Sequence, residues 1–291
     1  MIRGILASLR FWGFRAVLAL PVLAAGATTG LAQPAPGDMP VLFDARERLP
    51  KPDISAVLRV RFLTSTDFPP LNFIDQTGRL SGFHIDLIRE ICAELHVEAK
   101  CQIQAMPYAD LQRALSQGNG EAVVAGVAVT DPLRQQFAFT RPYMVLPARF
   151  VRNRMAKLEG ERASALFGRP VGVVSGTAHE AMLKAFFPDI KAVGFESREA
   201  MLAALTKANV DAVFSDGLQL SFWAASPASD NCCALFDGPF VSERFLGEGL
   251  TIMLRKQDAA LATAFDNALS SLSRDGRLQE IYLRYFPHGL Y

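Results

Sequence analysis

Apolar and polar positions along this chain fall into two alternating patterns. Short β-rich runs bounded by turn residues occur at Leu58–Thr64, Cys101–Ala105, Ala122–Val129, Pro170–Val174, Ala192–Phe195, Ala212–Ser215 and Gly249–Leu254. The most apolar of them suit strands buried on both faces. Between them lie helical stretches. In Gly82–Leu95, the residues Ile85, Ile88, Ile91, Cys92 and Leu95 share one face, and Leu261, Phe265, Leu269 and Leu272 do so in Asp258–Asp275. Tyr108–Gln117, Thr177–Phe187, Ser197–Lys207 and Leu278–Phe286 are also read as helical. The order strand, helix, strand, helix, strand appears twice, which predicts an α/β chain with two open sheets and right-handed crossovers. Residues 33–56 are rich in proline and charge without a sustained period and read as a linker or loosely packed arm. Ser226–Cys233 reads as a polar loop.

Ligands of such sheets bind outside the carboxyl ends of the strands. Four places qualify. Phe68 precedes Pro69-Pro70, which excludes a central strand, so its ring sits in a loop and either stacks on a ligand or plugs the core. Thr130 or Asp131 can cap a short helix with Pro132 in its first turn, and Arg134 adds a fixed positive charge there. That corner suits an anion, or it is an ordinary strand–turn–helix with a surface arginine. Ser175-Gly176-Thr177-Ala178 is a second strand-to-helix corner with free N–H groups. Asp216 follows the last strand of the second series, as a ligand-binding acid or as a helix N-cap.

The first 32 residues change the picture of the whole. Arg3, Arg10 and Arg15 precede or enter the apolar run Ala16–Ala25, and small residues end at Gly30-Leu31-Ala32. This is the pattern of a secretory signal peptide cleaved after Ala32. An uncleaved anchor is the alternative reading, although the run is short for a membrane span. No cysteine near the cleavage point invites a lipid anchor. Cleavage removes the three arginines and no acid, taking the formal net charge from +1 to −2. A near-neutral mature chain gives no electrostatic case for nucleic acid. The expectation is a soluble exported monomer in an oxidising compartment.

All four cysteines lie beyond the leader. Cys92 and Cys101 flank a helix end and the next strand, where a local disulfide fits an exported protein. The adjacent Cys232 and Cys233 can bond to each other, pair elsewhere or stay as thiols. The cysteine spacing matches no zinc pattern, and His84, His96, His179 and His288 are scattered. Neither a metal nor a cofactor is expected.

Taken together, these pieces resemble the type 3 periplasmic solute-binding proteins, which serve polar amino-acid ABC importers. The resemblance runs from about Leu58 to Phe286. It rests on Phe68-Pro69-Pro70 followed by Gly82-Phe83-His84-Ile85-Asp86-Leu87, the segment from Thr130 to Thr140, Val171–Thr177, Asp211–Asp216, Gly247-Glu248-Gly249 before Leu254-Arg255-Lys256, and Asp275-Gly276 with Ile281 and Tyr285-Phe286. It implies a two-lobe type II periplasmic-binding-protein fold with a hinge of two crossing strands. Lobe 1 would be discontinuous, 57–148 plus 238–291, and lobe 2 would be 149–237. The ligand-facing positions it implies are Phe68, His84, Gly126, Ala128, Arg134, Gly176, Thr177, Ala178 and Asp216. The aromatic packs on the ligand, the acid pairs with an α-ammonium, Thr177 and its neighbours donate hydrogen bonds, and an arginine forks onto the α-carboxylate. A disulfide between Cys92 and Cys101 is also seen in some similar proteins. The partners implied are a small-molecule ligand and the membrane permease of an ABC importer, in the periplasm.

Four departures bear on the ligand. Leu133 stands where the family arginine usually lies, and Arg134 is one position later, a rotation of about 100° on a helix. Ala125, Gly126 and Ala128 occupy places often held by Ser or Thr. His84 stands where many members have Asp. Ser65 stands where binders of cationic amino acids carry an acid, which disfavours a lysine- or arginine-type ligand. Two other functions share the scaffold: an accessory protein of a periplasmic quinoprotein dehydrogenase, and a cyclohexadienyl dehydratase-like enzyme. For the latter, His84, His179 or Glu180 would have to serve as the acid, and none is marked by spacing. The main expectation is solute capture without catalysis.

Overall fold

The structure is a computed structural model and describes residues 38–44, 46–287 and 289–291. The leader, its cleavage point and residues 33–37 lie outside them. The elements in chain order are β1 (Val60–Thr64), β2 (Asp67–Phe68), β3 (Asn72–Ile74), β4 (Leu80–Ser81), α1 (Phe83–Glu94), β5 (Cys101–Ala105), α2 (Tyr108–Ser116), β6 (Ala122–Val123), α3 (Asp131–Gln136), β7 (Phe137–Phe139) and β8 (Ala148–Asn153). They continue with β9 (Pro170–Val174), α4 (Ala178–Phe186), β10 (Lys191–Phe195), α5 (Arg198–Thr206), β11 (Ala212–Asp216), α6 (Gly217–Ala225), β12 (Cys233–Phe240), α7 (Glu243–Leu246), β13 (Met253–Arg255), α8 (Ala259–Arg274) and α9 (Arg277–Tyr285).

These strands make two five-stranded sheets of matching design. The first has the order β5-β1-β6-β13-β7 and the second β10-β9-β11-β8-β12. In each, three neighbouring strands are parallel, the fourth (β13 or β8) runs against them, and the fifth (β7 or β12) pairs antiparallel with the fourth and so follows the first three. The parallel strands are joined through α1 and α2 in the first sheet and through α4 and α5 in the second. The apolar stripes read from the sequence are the buried faces: Ile85, Ile88, Ile91 and Cys92 on α1, and Leu261, Phe265, Leu269 and Leu272 on α8. Each sheet has its own core.

Two crossings link the sheets, between β7 and β8 and between β12 and β13. They run side by side as an antiparallel pair at Met144 and Leu250. The Tyr143 amide donates to the Leu250 carbonyl at 2.9 Å, and the Leu250 amide donates to the Met144 carbonyl at 2.6 Å. Gly249 makes this approach possible. It has φ +113°, and a Cβ there would lie 2.5 Å from the Met144 carbonyl oxygen.

Three sequence readings change. The arm at 33–56 is not loosely packed where it is described. Met39, Phe43 and Ile54 are buried in the first core, because the arm carries apolar residues that α8 and α9 leave room for. Its backbone is tied down as well: the Met39 amide donates to Gln279 Oε1 at 2.9 Å, and Asn267 Nδ2 donates to the Leu49 carbonyl at 3.0 Å. Second, the stretch Ala122–Val129 is a strand only over Ala122–Val123; Gly126, at φ +71°, turns the chain away from the sheet. Third, β12 was not expected. It pairs with β8 as far as Phe240, and Phe245 and Leu246 of α7 pack against the second core. The chain thus returns to the first sheet after Leu246, beyond the expected change at 237/238.

Both cysteine pairs are disulfides, Cys92–Cys101 and Cys232–Cys233. Among the described residues no helix is long and apolar enough to cross a membrane.

Candidate functional site

The carboxyl ends of the two sheets supply the site residues. On the first, β2 carries Phe68, whose ring lies over the backbone of Gly126. A Cβ at Gly126 would sit 2.8 Å from Phe68 Cε1, so the absence of a side chain there lets the ring lie flat on the turn. Ala128 is exposed next along the chain. Thr130 caps α3, its Oγ1 accepting from the Leu133 amide at 3.4 Å.

The arginine of this corner is occupied. Arg134 forms an ion pair with Glu248, and its guanidinium stands 5.9 Å from the centre of the Phe139 ring. Leu133, in the usual arginine position, is partly buried against the first sheet's core. The first sheet therefore presents no uncommitted cation at α3.

His84, expected to face the ligand, does not reach the surface. It is fully buried on α1, and both ring nitrogens are taken: Nδ1 lies 2.8 Å from Asn72 Oδ1 and Nε2 lies 2.9 Å from the Tyr143 hydroxyl. Asn72 Nδ2 donates to the Ser65 carbonyl and to Ser65 Oγ, each at 2.9 Å, which fixes the amide orientation. Asn72 Oδ1 can then only accept, so Nδ1 carries the proton and Nε2 accepts from Tyr143. Burial lowers the imidazole pKa to about 3 and keeps it neutral. The position invites a polar residue because the core here holds a satisfied polar chain running from Ser65 to the hinge.

On the second sheet, Thr177 caps α4. Its hydroxyl donates to the Val174 carbonyl at 2.7 Å and accepts from the Glu180 amide at 3.3 Å. Glu180 accepts from the Gly176 amide at 2.7 Å, so neither Gly176 N–H nor the Thr177 hydroxyl is free. Further donors of this corner include the first-turn amides of Ala178 and His179, which have no carbonyl one turn earlier. Ala178 is exposed.

Asp216 ends β11 and caps α6, its Oδ1 accepting from the Gln219 amide at 2.8 Å. Burial pushes its carboxyl pKa up, opposed by the Gln219 backbone and the charge of Arg198. The N-cap reading of this acid is the one seen, with the backbone of Leu218 and Gln219 both holding the carboxylate. Arg198, in the first turn of α5, donates through Nη1 to Gln219 Oε1 and through Nη2 to the Gln219 carbonyl at 3.3 Å.

A cavity of about 410 Å³ joins the two halves. Asp67 and Phe68 line it from the first, and Arg198, Gln219, Phe222 and Trp223 from the second. Its size falls in the range of small-molecule sites, ~300–1,000 Å³. Of the residues expected at the site, Phe68 and Gly126 are brought together, and Asp216 stands behind Gln219 at the cavity. Arg198, Gln219, Phe222 and Trp223 were not anticipated. The signal for Arg198 was available: it opens a helix just past the carboxyl end of β10, the place where sheets of this type bind ligands.

Comparison with known proteins identifies the family and the fold. The family model for bacterial extracellular solute-binding proteins, family 3, matches residues 60–288. The ABC transporter arginine-binding protein 1 of Escherichia coli is 26% identical over 238 residues, 80% of this chain and 93% of that protein. The L-arginine-binding protein of Pseudomonas aeruginosa is 26% identical over 242 residues, covering 82% and 92%. The histidine-binding periplasmic protein of Salmonella typhimurium is 27% identical over 237 residues, covering 80% and 89%. Among solved structures, an arginine third transport system periplasmic binding protein from Legionella pneumophila superposes with a TM-score of 0.55 at 27% identity, over 79% of this chain and 100% of that one. The second substrate-binding domain of Lactococcus lactis GlnP, in an open conformation, gives 0.64 at 17% identity over 79% and 96%, a likeness of fold. The two hinged sheets are thus the type II periplasmic-binding-protein fold, and the chain belongs to the bacterial extracellular solute-binding proteins, family 3.

Proposed function

We propose that this protein is exported to the periplasm, captures a small polar or zwitterionic solute, an amino acid or related carboxylate, and delivers it to the membrane permease of an ABC importer. The observation that carries this is the cavity between the sheets, bordered by Phe68 on one side and by Arg198 and Gln219 on the other, with Asp216 bonded to the Gln219 amide behind them, in a chain matched over residues 60–288 by a solute-binding family. The relatives named as arginine- and histidine-binding support an amino acid or its close analogue as ligand. Phe68 supplies an apolar surface for the body of the solute. Asp216 meets an ammonium, and the amides of Ala178 and His179 donate to an oxygen-rich end. Lobe 1 comprises residues 57–148 and the C-terminal return, lobe 2 the residues between, and the protein acts as a monomer without cofactor or catalysis.

Isothermal titration of the mature chain, from Gln33 onward, with a panel of amino acids and small carboxylic acids tests the reading. A 1:1 complex with at least one of them is expected. Failure of every class to bind would remove it.

A further inference from the structure

The cation of the cleft is Arg198, and its surroundings say what it meets. Both Nη atoms donate to Gln219, whose own amide N–H is held by Asp216. This chain of contacts fixes the guanidinium plane. It uses two of the five N–H donors. A third, on Nε, is buried without any acceptor. An arginine held in a fixed plane with donors to spare is suited to a planar oxyanion. Arg134, the cation of the first sheet, differs in each respect, since it is paired with Glu248 and half exposed.

The walls of the same cavity are aromatic. Gln219, Phe222 and Trp223 lie three and four positions apart on α6, so they share one face of the helix. Phe68 stands across from them. Phe222 is 45% exposed, a large ring that borders the cavity and meets the Phe286 ring edge-on. Trp223 packs its inner side on the second core and leaves the other to the cavity. Of the two acids near the guanidinium, Asp67 at the rim is solvent-exposed and therefore screened, and Asp216 lies behind Gln219, held by the backbone of Leu218 and Gln219.

We propose that Arg198, and not Arg134, recognises the anionic end of the ligand, and that the ligand is an aromatic carboxylate whose ring lies among Phe68, Phe222 and Trp223. This rests on the solute-binding reading and narrows it. An aromatic amino acid and its deaminated acid share the recognised chemistry, and Asp216 distinguishes them.

The chain contains two tryptophans, Trp12 in the leader and Trp223. In the mature chain Trp223 alone reports on the cleft by its fluorescence. Phenylacetate, L-phenylalanine, succinate and L-arginine are titrated by calorimetry and by Trp223 emission into wild type, Arg198→Met, Arg198→Lys, Arg134→Met and Phe222→Ala. At least one of the two aromatic acids is expected to bind with a change in Trp223 emission. Arg198→Met should weaken it about 10- to 100-fold, Arg198→Lys less, and Arg134→Met less than about threefold. Phe222→Ala, a half-exposed position that should leave folding intact, should weaken aromatic acids selectively. Tighter binding of the phenylalanine than of phenylacetate places the ammonium on Asp216; the reverse order gives the deaminated acid as ligand. The inference is overturned, and the solute-binding reading kept, if L-arginine or succinate binds while both aromatic acids do not, or if a folded Arg198→Met binds as wild type does. If no solute binds at all, both fall.

Discussion

At the scale of single residues, the buried chain Ser65–Asn72–His84–Tyr143 gives a pH signature. The unfolded chain protonates His84 near 6.5, whereas the folded protein holds it neutral to about 3. Below pH 6.5 the unfolded state therefore binds the extra proton, and stability falls with falling pH across the window from 6.5 to about 3. The loss approaches about 1.4 kcal/mol per pH unit within that window. Between pH 7 and pH 5 this one group should cost about 2 kcal/mol, measured by urea unfolding, and His84→Gln should remove that share of the slope. The ring signals of His84 in an NMR titration should stay at their neutral positions down to pH 4. Gly126 gives a second expectation. An alanine there combines φ +71° with a contact at 2.8 Å to the Phe68 ring. Gly126→Ala should cost about 1–3 kcal/mol in urea unfolding and weaken solute binding as the ring is displaced. Neither role was legible in the sequence. The partners of His84 lie 12 and 59 positions away, and no local pattern announces them.

At the scale of elements, what could be read was what burial on one face dictates. The stripes of α1 and α8 were visible because each helix presents a single apolar side to a sheet. β9 was legible to the residue because Pro170 opens it and Ser175-Gly176 closes it. β12 was not, because Asp237-Gly238-Pro239 interrupts its alternation and its pairing with β8 is a tertiary event. Arg198 escaped for a related reason. A polar residue at the first turn of a helix has no period; its place past β10 marked it, but its orientation is set by Gln219, 21 positions away. The arm was misjudged because its three apolar anchors, Met39, Phe43 and Ile54, are too widely spaced for a repeat. Once docked they belong to the first core. Phe43 is 3% exposed, so Phe43→Ala should cost about 3–5 kcal/mol in urea unfolding while leaving the cleft chemistry untouched. Unchanged stability would mean that the arm rests on the surface and is not an integral layer.

At the scale of the whole molecule, α6 is the element that borders both the cleft and the hinge. One face of it borders the cleft through Gln219, Phe222 and Trp223. Leu218 on the same helix is 1% exposed and belongs to the first core, alongside Tyr143, Met144 and Leu250 of the two crossings. A helix of the second sheet is thus seated against the hinge by an apolar side chain while its neighbouring residues line the cleft. Leu218→Ala removes that seat and leaves every cleft side chain in place. Large-to-small changes at such sites cost about 2–5 kcal/mol. If about 1.4 kcal/mol of this falls on the closed form alone, solute affinity drops about tenfold. The expected result is a larger radius of gyration by small-angle scattering and weaker binding by calorimetry, with an unchanged circular dichroism spectrum. Weaker stability with unchanged affinity and size would show that Leu218 serves only packing, and that the position of α6 does not depend on it.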